Sequence, residues 1–209
     1  MNRFYLLIGK SFYDFKVFGK ENLPESEPFV FVAHNHTSPL DFLIPAFVQR
    51  HRPDLHVMIL DAGFEHPLIE WYSRQFNSLP VHKSPSRMNR GTLLEALKVL
   101  KQGKSILISL EGEMSWDGTP QPYKTGAAWL ILHARVPFIP GVYSGAYPIW
   151  PRWQTLPKLK GKIRLEIGKP VLLDNFPDKI DNRLLEETNK RIVKEVNRIE
   201  KSVKSRKNR

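Results

Sequence analysis

Cysteine is absent from this sequence. That excludes disulfides, a thiolate nucleophile and any cysteine-ligated metal, and it suits a reducing compartment. Long hydrophobic runs are missing too. The N-terminal stretch peaks at residues 4–8, Phe-Tyr-Leu-Leu-Ile, far short of the roughly 20 residues that a bilayer-crossing helix needs. No small-residue cleavage site follows it, so no signal peptide is read. The expectation is a cytoplasmic chain. Residues 4–8, flanked by Arg3 and Lys10, either lie in a membrane interface or pack as an edge segment on the core. Negative charge is scarce: 21 Asp and Glu stand against 32 Lys and Arg, a formal net charge of +11. Such a surface selects polyanions, whether nucleic acid, an anionic membrane or phosphorylated substrates. What is present is enough for a core, with 41% apolar residues, five Trp and twelve Phe. The length of 209 residues fits one domain with small additions.

The informative stretch is residues 29–41, FVFVAHNHTSPLD. Its first five residues are apolar without a break, which predicts a strand buried on both faces. Polarity then changes abruptly at His34, Asn35, His36 and Thr37. Ser38 and Pro39 read as an N-cap and first helical residue, with an apolar helix over about residues 40–48. His36 therefore falls on a strand-to-helix turn and Asp41 on the first helical turn. A carboxylate there complements the helix dipole. It can also accept the proton of one imidazole nitrogen and leave the other as a base. A capping Asp near a loop histidine has the same spacing, so context must decide.

The context is an alternation of strands and helices. Strands are expected at residues 55–60, 79–81, 105–110 and 136–142. Helices are expected at 65–76, at 89–102 with Gly103 as C-cap, and at 127–133. This predicts a single α/β domain, a largely parallel or mixed sheet flanked by helices. Ligands gather at the carboxyl ends of strands in such sheets, and His36, Lys83 and Glu111 each follow a strand there. Gly112 permits a sharp turn or close approach to a ligand. Lys124, Thr125 and Gly126 precede a helix whose first amides could hold an anion. Glu111 read alone is equally a solvated cap.

Several blocks in order resemble the glycerolipid acyltransferase family, known through 1-acylglycerol-3-phosphate (lysophosphatidate) acyltransferases. Asn35 to Asp41 resembles its Asn-His-x-x-x-x-Asp block. Glu111-Gly112-x-x-Ser115-x-x-Gly118 and Tyr123-Lys124-x-Gly126 resemble its Glu-Gly block and the Phe-Lys-x-Gly after it. Val136-Pro137-x-x-Pro140-x-Val142 resembles a fourth block, and residues 162–171 a late strand ending in Gly-x-Pro. The likeness spans about residues 23–173. It implies that His36 is the general base on the acceptor hydroxyl, polarised by Asp41. It further implies that Lys83, Glu111, Gly112, Ser115, Lys124 and Gly126 serve the substrate, with Asn35, Arg87 and Pro140 in support. The donor would be acyl-CoA or an acylated carrier protein and the acceptor a lysolipid, with no metal and no other cofactor.

Two departures bear on the acceptor. The family's third block usually has Thr-Arg where this sequence has Glu113-Met114, and methionine cannot replace a guanidinium on phosphate. In the second block Lys83 stands nearest to the usual arginine. Lys83, Arg87, Arg90 or Lys124 could supply the charge, and an acceptor without phosphate is the alternative. Residues 182–209 hold ten basic and four acidic residues. With Leu185, Ile192, Val196, Ile199 and Val203 near helical spacing, they read as an amphipathic helix with a basic tail. The division is thus an N-terminal segment 1–22, a domain over 23–181 and the basic helix. The overall expectation is an acyltransferase peripheral to the inner face of the cell membrane, meeting anionic lipid and no nucleic acid. Two other classes remain: a basic nucleic-acid-binding protein, though no recognition module is visible, and a metallohydrolase built on His34, His36 and Asp41.

Overall fold

The computed structural model describes residue 7 and residues 11–60, 74–81 and 90–207. The apolar run becomes strand β2 (Val30–His34), buried along its whole length. Its side chains alternate: Phe29, Phe31 and Ala33 enter one core, Val30 and Val32 the other. A strand of this kind needs neighbours on both edges and helices on both faces. It has both. Strands β5 (Ile106–Ser109) and β6 (Phe138–Ser144) flank it, each parallel to it. Gly141 allows the closest approach, because a Cβ there would stand 2.4 Å from the Phe31 ring.

The remaining strands are β1 (Tyr13–Phe18), β3 (His56–Leu60), β4 (Ser78–Val81) and β7 (Gly161–Ile167). The seven form one sheet in the order β1-β7-β6-β2-β5-β3-β4. Every pairing is parallel except β6 with β7. The sheet is therefore mixed, as the pattern predicts, and β1 and β7 run against the other five strands.

Helix α1 (Leu43–His51) covers one face through Leu43, Ile44, Ala46 and Val48. Helices α2 (Arg90–Lys101), α3 (Gly126–Ala134) and α4 (Asn182–Lys207) contribute to the core on the other. Gly103 ends α2 at φ +78°, with its N–H and that of Lys104 returning to Leu100 and Val99 carbonyls, the left-handed cap expected of it. Helix α4 buries Leu185, Ile192, Val196 and Val203, so its apolar stripe is spent on the domain. Residues 13–18, read from sequence within a separate N-terminal segment, pair with β7 as the outermost strand. The expected helix over 65–76 falls mostly outside the described residues, as does all of residues 4–8 except Leu7. No helix among the described residues is long and apolar enough to cross a membrane.

Candidate active site

The turn after β2 is built from three local choices. Asn35 takes φ +73°, a left-handed conformation that asparagine tolerates better than most residues. This reverses the chain so that His34 and His36 diverge. Ser38 then caps a short 3-10 turn, Pro39–Phe42, accepting from the Leu40 N–H at 3.1 Å. The capping turn returns Asp41 to the histidine. His36 Nδ1 lies 2.6 Å from Asp41 Oδ2, which also accepts the N–H groups of Thr37 at 3.0 Å and Ser38 at 3.4 Å. The carboxylate that completes the capping box is also the partner of the histidine.

The pair is asymmetric. Asp41 is nearly buried and the His36 side chain is 30% exposed. An Nδ1–H given to Asp41 leaves the Nε2 lone pair outward, and Nε2 carries no hydrogen bond among the described residues. Burial lowers the proton affinity of His36. The hydrogen bond and charge of Asp41, with Glu111 beyond, more than reverse that, so the ring is held above its ordinary 6.5. Burial also lifts Asp41 above the usual carboxylate range, against the pull of His36 and the two amides. Its second oxygen, Oδ1, is buried with no partner among the described residues.

Beneath the turn sits a second buried histidine–carboxylate pair. Glu111 Oε1 accepts the Asn35 N–H at 2.8 Å and lies 2.9 Å from His34 Nδ1, close but not aligned as a directed hydrogen bond. Glu111 Oε2 accepts from Ser109 Oγ at 2.9 Å. Both His34 and Glu111 are 1% exposed. Burial would raise the Glu111 carboxyl, but His34 and the Asn35 amide overcome it and hold it below its usual range. Asn35 Nδ2 donates to the Tyr143 carbonyl at 2.7 Å, and Tyr143 Oη donates to the Leu40 carbonyl at 2.9 Å. Strand β6 thus ties both ends of the His36 turn.

A family model described as Acyltransferase matches residues 14–144. The chain belongs to the acyltransferase family. A chloroplastic 1-acyl-sn-glycerol-3-phosphate acyltransferase of Brassica napus is 29% identical over 85% of this chain and 52% of its own. A second chloroplastic protein of that name, from Arabidopsis thaliana, is 29% identical over 77% of this chain and 44% of its own. The chain spans about half the length of these curated relatives. The crystal structure of the 1-acyl-sn-glycerophosphate acyltransferase PlsC from Thermotoga maritima superposes with a TM-score of 0.70. It shares 24% identity and covers 95% of this chain and 79% of its own, a likeness of fold.

Against the family pattern, the fold places the residues singled out from sequence in two groups. Near His36 lies the loop 111–118. The Ser115 N–H donates to the His36 carbonyl at 2.9 Å, and Ser115 Oγ joins Asp117 and the Gly118 N–H. Gly112, at φ +70°, lets the aliphatic part of Lys124 pack over it, since a Cβ would meet Lys124 Cγ at 3.3 Å. Lys124 is itself exposed. Away from the site, Gly126 is buried in the first turn of α3, beside Ile108 and Leu93. Pro140 pairs with Val32 in the sheet and abuts Gly168. Lys83 and Arg87 lie outside the described residues.

Glu111 and Ser115, expected at the substrate, are buried, and Glu111 Oε1 and the Ser115 N–H each hold the His36 turn. Pro140, expected in support, sits within the sheet, paired with Val32 of β2 and against Gly168. His34, His36 and Asp41 do not converge on one point, because His34 faces Glu111 while His36 faces Asp41. No group of three metal-holding side chains occurs among the described residues.

The residue that sequence reasoning missed is Arg152. It reaches from the β6–β7 connection to donate to the Met114 carbonyl at 3.0 Å, its guanidinium 3.8 Å above the Trp116 ring centre. Its charge opposes protonation of His36. Among the described residues no carboxylate pairs with it. A guanidinium therefore stands against the backbone of Met114, the position where the family usually has an arginine side chain.

Proposed function

We propose that this chain transfers a fatty acyl group from a thioester, acyl-CoA or an acylated carrier protein, to the free hydroxyl of a 1-acylglycerol-3-phosphate-type lysolipid. The observation that carries this is the His36–Asp41 pair, with a 2.6 Å Nδ1 to carboxylate contact and Nε2 turned outward. In the proposed reaction Nε2 takes the hydroxyl proton as that oxygen attacks the thioester carbonyl. Asp41 steadies the imidazolium that results. The tetrahedral intermediate collapses with loss of the thiolate, which recovers the proton from Nε2. The products are the ester and a free thiol, and no acyl-enzyme is needed, consistent with a chain that lacks cysteine. Arg152 and Lys124 supply positive charge beside the loop 111–118, suited to the acceptor phosphate. The positive net charge and a lipid acceptor support a peripheral enzyme at the inner face of the cell membrane.

Met114 favours a second reading, an acceptor without phosphate, since methionine offers that group nothing. Labelled acyl-CoA and labelled acyl-carrier protein, each supplied with phosphorylated and neutral lysolipids, discriminate donors and acceptors by product. His36→Ala should lose about 10²- to 10⁴-fold in acyl transfer, the usual range for a general base, while remaining folded. Near-normal turnover by this folded variant would overturn the mechanism.

A further inference from the structure

Exposed apolar side chains are concentrated where the fold does not need them. Trp116 is 62% exposed, Trp153 63%, Leu156 72% and Leu159 72%, half of the large apolar side chains left exposed among the described residues. All but Trp116 belong to the connection between β6 and β7. Because β6 is parallel to β2 and β7 antiparallel to β6, this connection leaves and rejoins the sheet at the edge from which the His36 turn emerges.

The connection is not loose chain. Its base is packed: Ile149 is 3% exposed and Pro151 is buried. The Trp150 carbonyl accepts from Ser38 Oγ at 2.7 Å, which ties it to the His36 turn. Trp150 Nε1 donates to the Gln154 carbonyl at 2.8 Å, and the Lys158 N–H to the Ile149 carbonyl at 3.0 Å. A held base thus carries a crest of Trp153, Leu156 and Leu159. Between residues 145 and 162 there are four basic residues, Arg152, Lys158, Lys160 and Lys162, and no acidic one. Tryptophan and leucine interleaved with Lys and Arg are the composition of a segment that enters the headgroup layer of an anionic bilayer.

We propose that this crest, with Trp116 beside it, is the surface by which the enzyme docks on an anionic lipid bilayer, setting the His36 edge against the membrane plane. The inference rests on the lysolipid reading above and says how that substrate arrives. Each methylene drawn into water costs about fourfold in partition, so the acceptor is met most readily in the bilayer. The assignment adds a docking surface that motif and periodicity do not point to. The apolar stripe of α4 is buried on the domain, and its exposed basic residues can attract a membrane without entering it.

The test is the double substitution Leu156→Ser with Leu159→Ser in the full chain. Both side chains are largely exposed, so the fold should persist, checked by denaturant unfolding. Sedimentation with vesicles of equal phosphatidylcholine and phosphatidylglycerol, without substrate, should show partition weakened by about tenfold or more. Acyl transfer to lysophosphatidate held in those vesicles should fall in parallel, while transfer to a short-chain, monomeric acceptor stays as in the parent. A folded variant that partitions like the parent overturns the proposal. So does a loss seen only with an acyl-carrier-protein donor, which would make the crest a protein-docking site, or a change confined to self-association. If the parent binds vesicles through the crest yet acylates no lysolipid, the docking surface stands and the substrate reading fails.

Discussion

Removing the Glu111 carboxylate separates a residue that contacts the acceptor from one that holds the base in place. Glu111 accepts the Asn35 N–H at 2.8 Å and Ser109 Oγ at 2.9 Å, and lies 2.9 Å from His34 Nδ1, with His34 and Glu111 each 1% exposed. Glu111→Ala strands all three groups. Breaking a buried pair on one side costs about 3–5 kcal/mol, a large share of the roughly 5–15 kcal/mol that holds a domain together. Glu111→Gln is the more informative change. Its amide oxygen, in place of Oε1, can still accept from Asn35 and face His34, while its NH₂ faces Ser109, all without the charge. The expected cost is about 1–3 kcal/mol, one charge-assisted interaction reduced.

The accompanying loss should fall on turnover. The Asn35 amide is one residue from His36, and a small displacement of a base is costly in rate. The assays are urea unfolding and steady-state acyl transfer on the same preparation. An acceptor ligand predicts normal stability and a raised KM; a positioning residue predicts a lower urea midpoint and a lower kcat. The pH dependence follows from the depressed carboxyl. Its stabilisation is present above the ordinary value of 4.5 and is lost as pH falls through the lower folded value. The stability gap between parent and Glu111→Gln should therefore close in acid. A Gln variant that unfolds at the parental midpoint and differs only in KM would refute this reasoning.

Two further predictions concern the reacting edge. Because His36 is held above 6.5 by Asp41 and only the neutral ring can act as base, kcat/KM should rise with pH through a midpoint above 6.5. Asp41→Asn should cut the rate and move that midpoint down, and a parental midpoint at or below 6.5 would count against the pair. The same raised value stabilises the fold most below 6.5, a contribution lost as pH rises through the folded value. Arg152→Ala should raise KM for a phosphorylated acceptor more than for a neutral one, by about tenfold, the low end for an exposed charge-assisted hydrogen bond. It should also move the kcat/KM midpoint upward, because Arg152 opposes protonation of His36; equal effects on both acceptors and no midpoint shift would leave Arg152 without this role.

What was legible in the sequence was whatever local rules decide. The uninterrupted run at residues 29–33 required burial on both faces, and β2 has it. Ser38-Pro39 read as a helix start, and Ser38 is the cap. The His-x-x-x-x-Asp spacing became a contact because the capping turn itself brings Asp41 back to the ring, a consequence of five consecutive residues. The roles of Glu111 and Ser115 were not legible in this way. Their partners, Asn35 and the His36 carbonyl, lie more than seventy residues away, and burial rather than residue type decides that they hold the turn.

Arg152 shows where the reading along the chain stops. Motif blocks compare a residue only with the residue at the same place in a pattern, so Met114 registers as a lost guanidinium. The sheet does not respect that order. Strand β6 lies beside β2, the chain after it passes the loop 111–118, and Arg152 meets the Met114 carbonyl at 3.0 Å. A guanidinium thereby stands beside that loop from 38 residues later in the chain, on the side of the fold that also carries Trp153, Leu156 and Leu159. The mixed topology is what makes this work. Had β7 run parallel to β6, the connection would have crossed the sheet and ended at the opposite edge, leaving the His36 turn with neither the guanidinium nor the apolar crest.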